Sequence, residues 1–155
     1  HDVVVDTNVL MHADNPNERR KESATNFLLK LHAGSTLLCV DTGFHIVEAQ
    51  NRSVFGSEYW QHLVPGNLAY YILMDLASNK RLSHVKSKVH KSENRKINRL
   101  IPKPHDRIFL KVAINSSAKV FVSHDFTDFP LMTRATAYAN WAITICDSAH
   151  AETLV

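Results

Sequence analysis

Val3-Val4-Val5 is apolar and β-branched at three consecutive positions and stops at Asp6. A strand with one wet face alternates apolar and polar residues. An unbroken apolar run belongs to a strand covered on both sides, the habit of parallel sheets. The same signature returns at residues 36–40, 119–123 and 142–146. Between these strands the apolar spacing turns helical. Residues 18–33 carry Ala24, Phe27, Leu28 and Leu31 on one stripe and stop at Gly34. A second helix is expected over 44–52, and a helical stretch over 57–77 is divided by Pro65-Gly66. An amphipathic helix is expected over 106–117, with Ile108, Phe109, Val112 and Ala113 inward. Residues 79–104 are polar and basic and carry no clear period. Strands alternating with helices require right-handed crossovers, so the expected fold is a three-layer α/β/α sandwich around a mostly parallel sheet. At 155 residues one domain spanning 1–155 and one core suffice.

Composition excludes several classes. With 45% hydrophobic and 21% charged residues the chain is neither disordered nor membrane-spanning, and no apolar run approaches the roughly 18–20 residues a bilayer requires. Cys39 and Cys146 sit inside apolar stretches, without His or Cys at zinc-finger spacing, and read as buried thiols. No leader is expected from the opening residues, and a cytoplasmic, reducing setting is expected.

The acids suggest chemistry. Sites of parallel sheets form beyond the carboxyl ends of the strands. Asp6 ends the first strand, Asp125 follows the strand at 119–123, Asp106 opens the helix leading into it, and Glu48 follows the strand at 36–40. Carboxylates gathered in one cleft repel and raise each other's pKa, and a hard divalent cation with oxygen ligands relieves the repulsion. Such an ion binds a phosphate oxygen and helps ionise water. The bases are also uneven: ten of the eighteen Lys and Arg residues fall between Lys80 and Arg107, opposed only by Glu93 and Asp106. Such a block is a solvated face or a polyanion contact.

Val3-Val4-Val5-Asp6-Thr7-Asn8-Val9-Leu10 resembles the opening signature of the PIN-domain family, an apolar strand followed by Asp-Thr-Asn and two apolar residues. Asp106 to Ala113 resembles the family's third acidic motif, Val122-Ser123-His124-Asp125 its fourth, and Glu48 its mid-chain acid. The resemblance covers nearly the whole chain in the expected order. It implies an endoribonuclease dependent on Mg²⁺ or Mn²⁺, with Asp6, Glu48, Asp106 and Asp125 catalytic and with Asp6, Asp106, Asp125 and Asp128 at the metal. Asn8 and Ser123 would be accessory, and Lys80, Arg81, Lys86, Lys88, Lys91, Arg95 and Lys96 would hold RNA. Many relatives are toxins of toxin–antitoxin pairs, so an antitoxin or other protein inhibitor, and a homodimer, enter the range of partners. Two departures stand out: the second acid after Asp125 comes three residues on, at Asp128, and residues 79–104 are longer and more basic than in compact toxins.

Each residue also has a plain reading. Asp106 is a helix cap, Asp128 a turn residue, and Glu48 half of an i, i+4 ion pair with Arg52. His124, on an extended segment beside Asp125, points away from it. Two other functions compete. A nuclease-fold RNA-binding or scaffold module without turnover would use the basic block alone. A phosphoacceptor domain of the haloacid-dehalogenase phosphatase type wants a second Asp two residues after Asp6, where the chain has Asn8. A receiver wants an acidic pair around the first strand and a Lys after a late strand, neither of which is evident.

Overall fold

A computed structural model describes all of residues 1–155. The sheet has five strands, all parallel, in the order β3-β2-β1-β4-β5. They are β1 (Asp2–Val5), β2 (Leu37–Asp41), β3 (Leu82–Val85), β4 (Val120–Val122) and β5 (Thr144–Cys146). Val4 pairs with Phe121 and Val5 with Val122, so β1 and β4 end level with each other.

The helices are α1 (Thr7–Asp14), α2 (Lys21–Ala33), α3 (Val54–His62), α4 (Leu68–Ser78), α5 (Lys91–Leu100), α6 (Pro104–Asn115), α7 (Leu131–Trp141) and α8 (Ser148–Ala151). From β1 the chain steps outward through β2 to β3, then returns past β1 to β4 and β5. With right-handed crossovers that reversal puts α1, α2 and α4 on one face and α5, α6 and α7 on the other. The helix contacts agree: α2 packs on α1, α4 and α8, and α6 packs on α5, while α3 touches both α1 and α6. The expected three-layer α/β/α sandwich is the fold observed. A buried cluster of 38 apolar residues fills it. Its centre is an aromatic file, Phe55–Phe109–Phe121–Phe129, with successive ring centroids 4.7, 5.9 and 5.2 Å apart. No helix is long and apolar enough to cross a membrane.

Three differences from the sequence expectation have physical causes. Residues 44–52 do not form a helix; a single 3-10 turn at Glu48–Gln50 stands there. The backbone N–H of Arg52 donates to Gly43 O at 2.9 Å, closing the segment into a loop. A nine-residue helix, about 13 Å long, would hold those ends apart. Gly43 permits the closure, since a Cβ there would meet Arg52 O at 2.9 Å. In α5 only Ile97 is buried, so there was no apolar stripe to read. In α7 the buried positions are Thr133, Ala137 and Trp141, two of them small and one polar.

Candidate metal centre and its cleft

The strand order reverses between β1 and β4, which makes the crevice beyond their carboxyl ends the topological switch point, where ligands bind in folds of this kind. Asp6 leaves β1 there, and its backbone N–H still donates to Val122 O at 2.8 Å. The buried Tyr59 of α3 donates its hydroxyl to Val5 O at 2.6 Å and so fixes the end of β1 from one face. Ser123, fully buried, leaves β4 alongside.

These residues form one small network. Asp6 Oδ2 accepts from Ser123 Oγ at 2.7 Å and from Asn8 Nδ2 at 2.8 Å. Asn8 Oδ1 accepts from the N–H of His124 at 3.0 Å, and Ser123 Oγ from that of Asp125 at 3.0 Å. Asp125 Oδ1 then turns the chain by accepting from the N–H groups of Thr127 (3.1 Å) and Asp128 (2.9 Å). Asn8 and Ser123 therefore both hold the Asp6 carboxylate. Asp6 is pushed up to about 6, by burial first and also by the Asp125 charge, against the lowering effect of its hydrogen bonds to Ser123 and Asn8.

Asp106 enters from the first turn of α6. It is not the cap: that position is Lys103, with Pro104 starting the helix. Asp106 Oδ2 is buried and has no hydrogen-bond partner. The carboxyl is pushed up to about 7, by burial first and then by the charges of Asp6, Asp128 and Asp125. Asp128 is ion-paired with Lys103, which holds its carboxyl below the usual range. Arg107 donates to Ile101 O and Pro102 O, both at 2.7 Å, and so shapes the loop carrying Lys103.

The four aspartates thus share one crevice and one electrostatic field. As they stand, no three acid, His or Cys side chains converge closely enough to ligate one ion. Asp6 is drawn onto Ser123, Asp125 into its own turn, and Asp128 onto Lys103. The donor chemistry nonetheless suits a hard divalent cation. All donors are carboxylate oxygens, two carboxyls are raised by crowding and burial, and one buried oxygen is unspoken for.

Glu48 does not join them. It is exposed on the 3-10 turn, beside a hollow lined by Val47, Trp60, Leu63 and Tyr70. Arg52, its expected ion-pair partner, donates instead to Ala49 O and Asn51 O. The acid that reaches α6 from this part of the chain is Glu58, whose Oε1 lies 3.2 Å from Nδ1 of His105, the sequence neighbour of Asp106. Spacing from Asp6 concealed it. The available signal was that Glu58 is the sole acid of α3 and stands beside Tyr59, which is buried.

The basic segment is dispersed. Lys80 and Arg81 precede β3, at the amino edge of the sheet, opposite to Asp6. Arg81 is structural: its guanidinium donates to Leu31 O (2.6 Å), His32 O (2.7 Å) and Thr36 O (2.6 Å), satisfying carbonyls where α2 ends. The carbonyls of Lys86 and Lys88 are held by Asn115, at the end of α6 remote from Asp106. Lys91, Arg95 and Lys96 are exposed along α5. Of the segment, Lys103 is the cation at the aspartates.

A polar cleft of about 420 Å³ opens beside Asp125, lined by Asn8, His12, Arg20, His124, Phe126 and Thr127. His124 points away from the aspartates and is 4% exposed. Its hydrogen bonds fix its tautomer. Ser23 donates to Arg20 O (3.1 Å) and Ser148 donates to Ser23 Oγ (2.9 Å). Ser148 Oγ therefore accepts from His124 Nε2 (2.8 Å), and His124 Nδ1 accepts from His12 Nδ1 (2.8 Å). Burial, then His12 and Arg20, push His124 down to about 4, so it is neutral at pH 7 and serves as a fixture rather than a base.

Fold and crevice together define an α/β protein with an acidic switch-point site. The chain matches no protein-family model, no curated protein and no solved structure.

Proposed function

We propose that the chain is a metal-dependent endoribonuclease of PIN type, hydrolysing RNA phosphodiester bonds at the aspartate crevice. The observation that carries this reading is Asp106. Its carboxyl is half-buried, raised to about 7 by burial and by three neighbouring aspartates, and keeps one oxygen without any partner. A fold does not keep such a group for stability, because an unpaired buried polar atom costs about 1–3 kcal/mol. Crowded, raised carboxyls in a crevice are what a cation site requires.

Asp6, Asp106 and Asp125 would be the ligands, with Asp128 as a further acid at their edge. Mg²⁺ or Mn²⁺ bound there supplies Lewis acidity and a more acidic water. Ser123 and Asn8 hold Asp6 Oδ2 in place, and Tyr59 fixes the strand end from which Asp6 projects. Lys103, at the Asp128 end, offers positive charge to a phosphate that displaces its ion pair. A cytoplasmic setting and control by an inhibitor protein accord with the same resemblance.

The test is a cleavage assay on single-stranded RNA, structured RNA and DNA with Mn²⁺, Mg²⁺ or EDTA, repeated with Asp6→Asn. The expected result is cleavage of RNA that EDTA stops and that falls by orders of magnitude in the variant. RNA binding without any cleavage in either metal would instead leave a module that lacks turnover.

A further inference from the structure

The cleft beside Asp125 holds a cation that no motif in the sequence singles out. Arg20 lies between α1 and α2, far in sequence from the basic segment. Its Nη1 donates to His124 O at 2.8 Å, and its guanidinium carbon lies 5.1 Å from the centre of the Phe126 ring. Arg134 of α7 covers Phe126 as well, 4.7 Å from the ring centre. Neither guanidinium has a carboxylate partner: the protein's ion pairs are His12–Glu18, His32–Asp75, Lys96–Glu93, Lys103–Asp128 and His105–Glu58. Two unpaired guanidinium groups share one aromatic ring at the edge of the crevice, and Nε of Arg134 is buried without a partner.

Such an arrangement suits an external anion. A guanidinium is a planar fork that fits phosphate oxygens in pairs, and one already immobilised loses little freedom on binding. Arg20 is immobilised by a rigid support: its anchor, His124 O, belongs to the residue locked by the chain from His12 to Ser148 and Ser23. Phe126, covered by guanidinium carbons, is engaged as a bracket and is not offered to nucleobases. Asn8 and Asp125 belong both to this cleft and to the aspartate crevice, so the two are continuous. A cation thus stands at each end of the site, Lys103 beside Asp128 and Arg20 beyond Asp125.

We infer that Arg20 is the receptor for a backbone phosphate of the nucleic-acid strand adjacent to the scissile bond, so that the strand lies through this cleft and not along α5. The inference rests on the nuclease reading for what the neighbouring crevice does. It rests on the unpaired, bracketed guanidinium for where the strand runs. Phosphate recognition is common to RNA and DNA, and the test separates them.

The experiment is fluorescence anisotropy of a 5′-fluorescein 12-nucleotide RNA, and of the DNA of the same sequence, in EDTA across a salt series. The full chain is compared with Arg20→Gln, Arg20→Lys and the triple variant of Lys91, Arg95 and Lys96 to Gln. The expected result is a roughly ten-fold weaker Kd in Arg20→Gln and a salt slope lower by about 0.7 log units per log unit. Arg20→Lys keeps the charge but loses the fork, so its Kd should weaken with the slope retained; it carries the test should Arg20→Gln fail to fold. The triple variant should bind as the parent does. Unchanged binding in Arg20→Gln, a slope flattened only in the triple variant, or no binding of either strand overturns the inference. A shared loss on RNA and DNA assigns recognition to phosphate alone, whereas a loss confined to RNA adds the ribose hydroxyl as a contact. Because the readout is binding in EDTA, failure of the nuclease reading has a different signature: absent cleavage with the salt slope still moved by Arg20.

Discussion

The acids and the bases of this chain invert each other. Asp6, Asp106, Asp125 and Asp128 are scattered over more than a hundred positions, yet the fold gathers them into one crevice. The bases between Lys80 and Arg107 are adjacent in sequence, and the fold disperses them to the amino edge of the sheet, the far end of α6 and the outside of α5. The difference lies in what fixes position. Asp6 stands immediately after β1 and Asp125 three residues after β4, short strands whose register is set by neighbours, so they arrive at one edge whatever the intervening sequence. The basic segment crosses from one edge strand to the other side of β1 and must traverse the molecule on its way. Proximity in sequence therefore says little about proximity at a site, whereas position relative to strand ends says much.

The sharpest way to break the contrast is divalent metal. If the acids form a binding site, a ligand that binds only the native state adds RT ln(1 + [L]/Kd), or roughly 2.7 kcal/mol at a hundredfold excess over Kd. Melting temperature should rise with Mn²⁺ and much less with Na⁺ at matched ionic strength, and Asp6→Asn should abolish the rise. An unchanged melting temperature at millimolar Mn²⁺ would return the acids to the status of the bases, a pattern without a site.

Within the basic segment the same logic separates Arg81 from the residues of α5. Arg81 donates to three carbonyls, so Arg81→Ala should cost about 1.5–3 kcal/mol, the range for hydrogen bonds from a charged donor. Neutralising Lys91, Arg95 and Lys96 together should change stability by no more than about 0.5 kcal/mol, as exposed substitutions do. Denaturant unfolding of both variants reads the difference. Equal effects would mean that the segment is one functional surface after all.

What the sequence made legible follows the same division. The consecutive apolar runs gave β1, β2, β4 and β5 within a residue or two, and with them the edge where Asp6, Asn8, Ser123 and Asp125 meet. What it concealed depended on tertiary closure. The helix expected over 44–52 was lost to a hydrogen bond between its two ends, which moved Glu48 away and left Glu58 as the acid that reaches α6, at His105. Arg20 carried no signal because its role comes from Phe126 and His124, more than a hundred residues away. α7 was hidden because small side chains at Thr133 and Ala137 suffice where a helix packs closely.

The pH dependence of Asp106 is a smaller effect than metal binding and the more discriminating one, because it separates crowding of the acids from every other titration. Asp6 and Asp106 are raised in the native state to about 6 and about 7, against about 3.9 in an unfolded chain. Between those values the native state holds more protons than the unfolded state. Their contribution to stability is therefore full below about pH 4 and is lost as pH rises through the native values. His124, lowered to about 4, has the opposite slope over part of the same window. The whole-protein pH curve mixes the two, but the difference between parent and Asp106→Asn does not. That difference should be near zero at pH 4, where the acid is protonated and resembles the amide. It should grow to favour the variant at pH 8, in EDTA. Its ceiling is set by the pKa shift; solvent screening at a half-buried group and the loss of a charge favoured at the start of α6 reduce it to roughly 0.5–2 kcal/mol. Urea unfolding at pH 4, 6 and 8 measures it. A difference that is flat with pH, or one that favours the parent at pH 8, would make Asp106 a stabilising first-turn acid of α6 and leave the crevice without its most strained member.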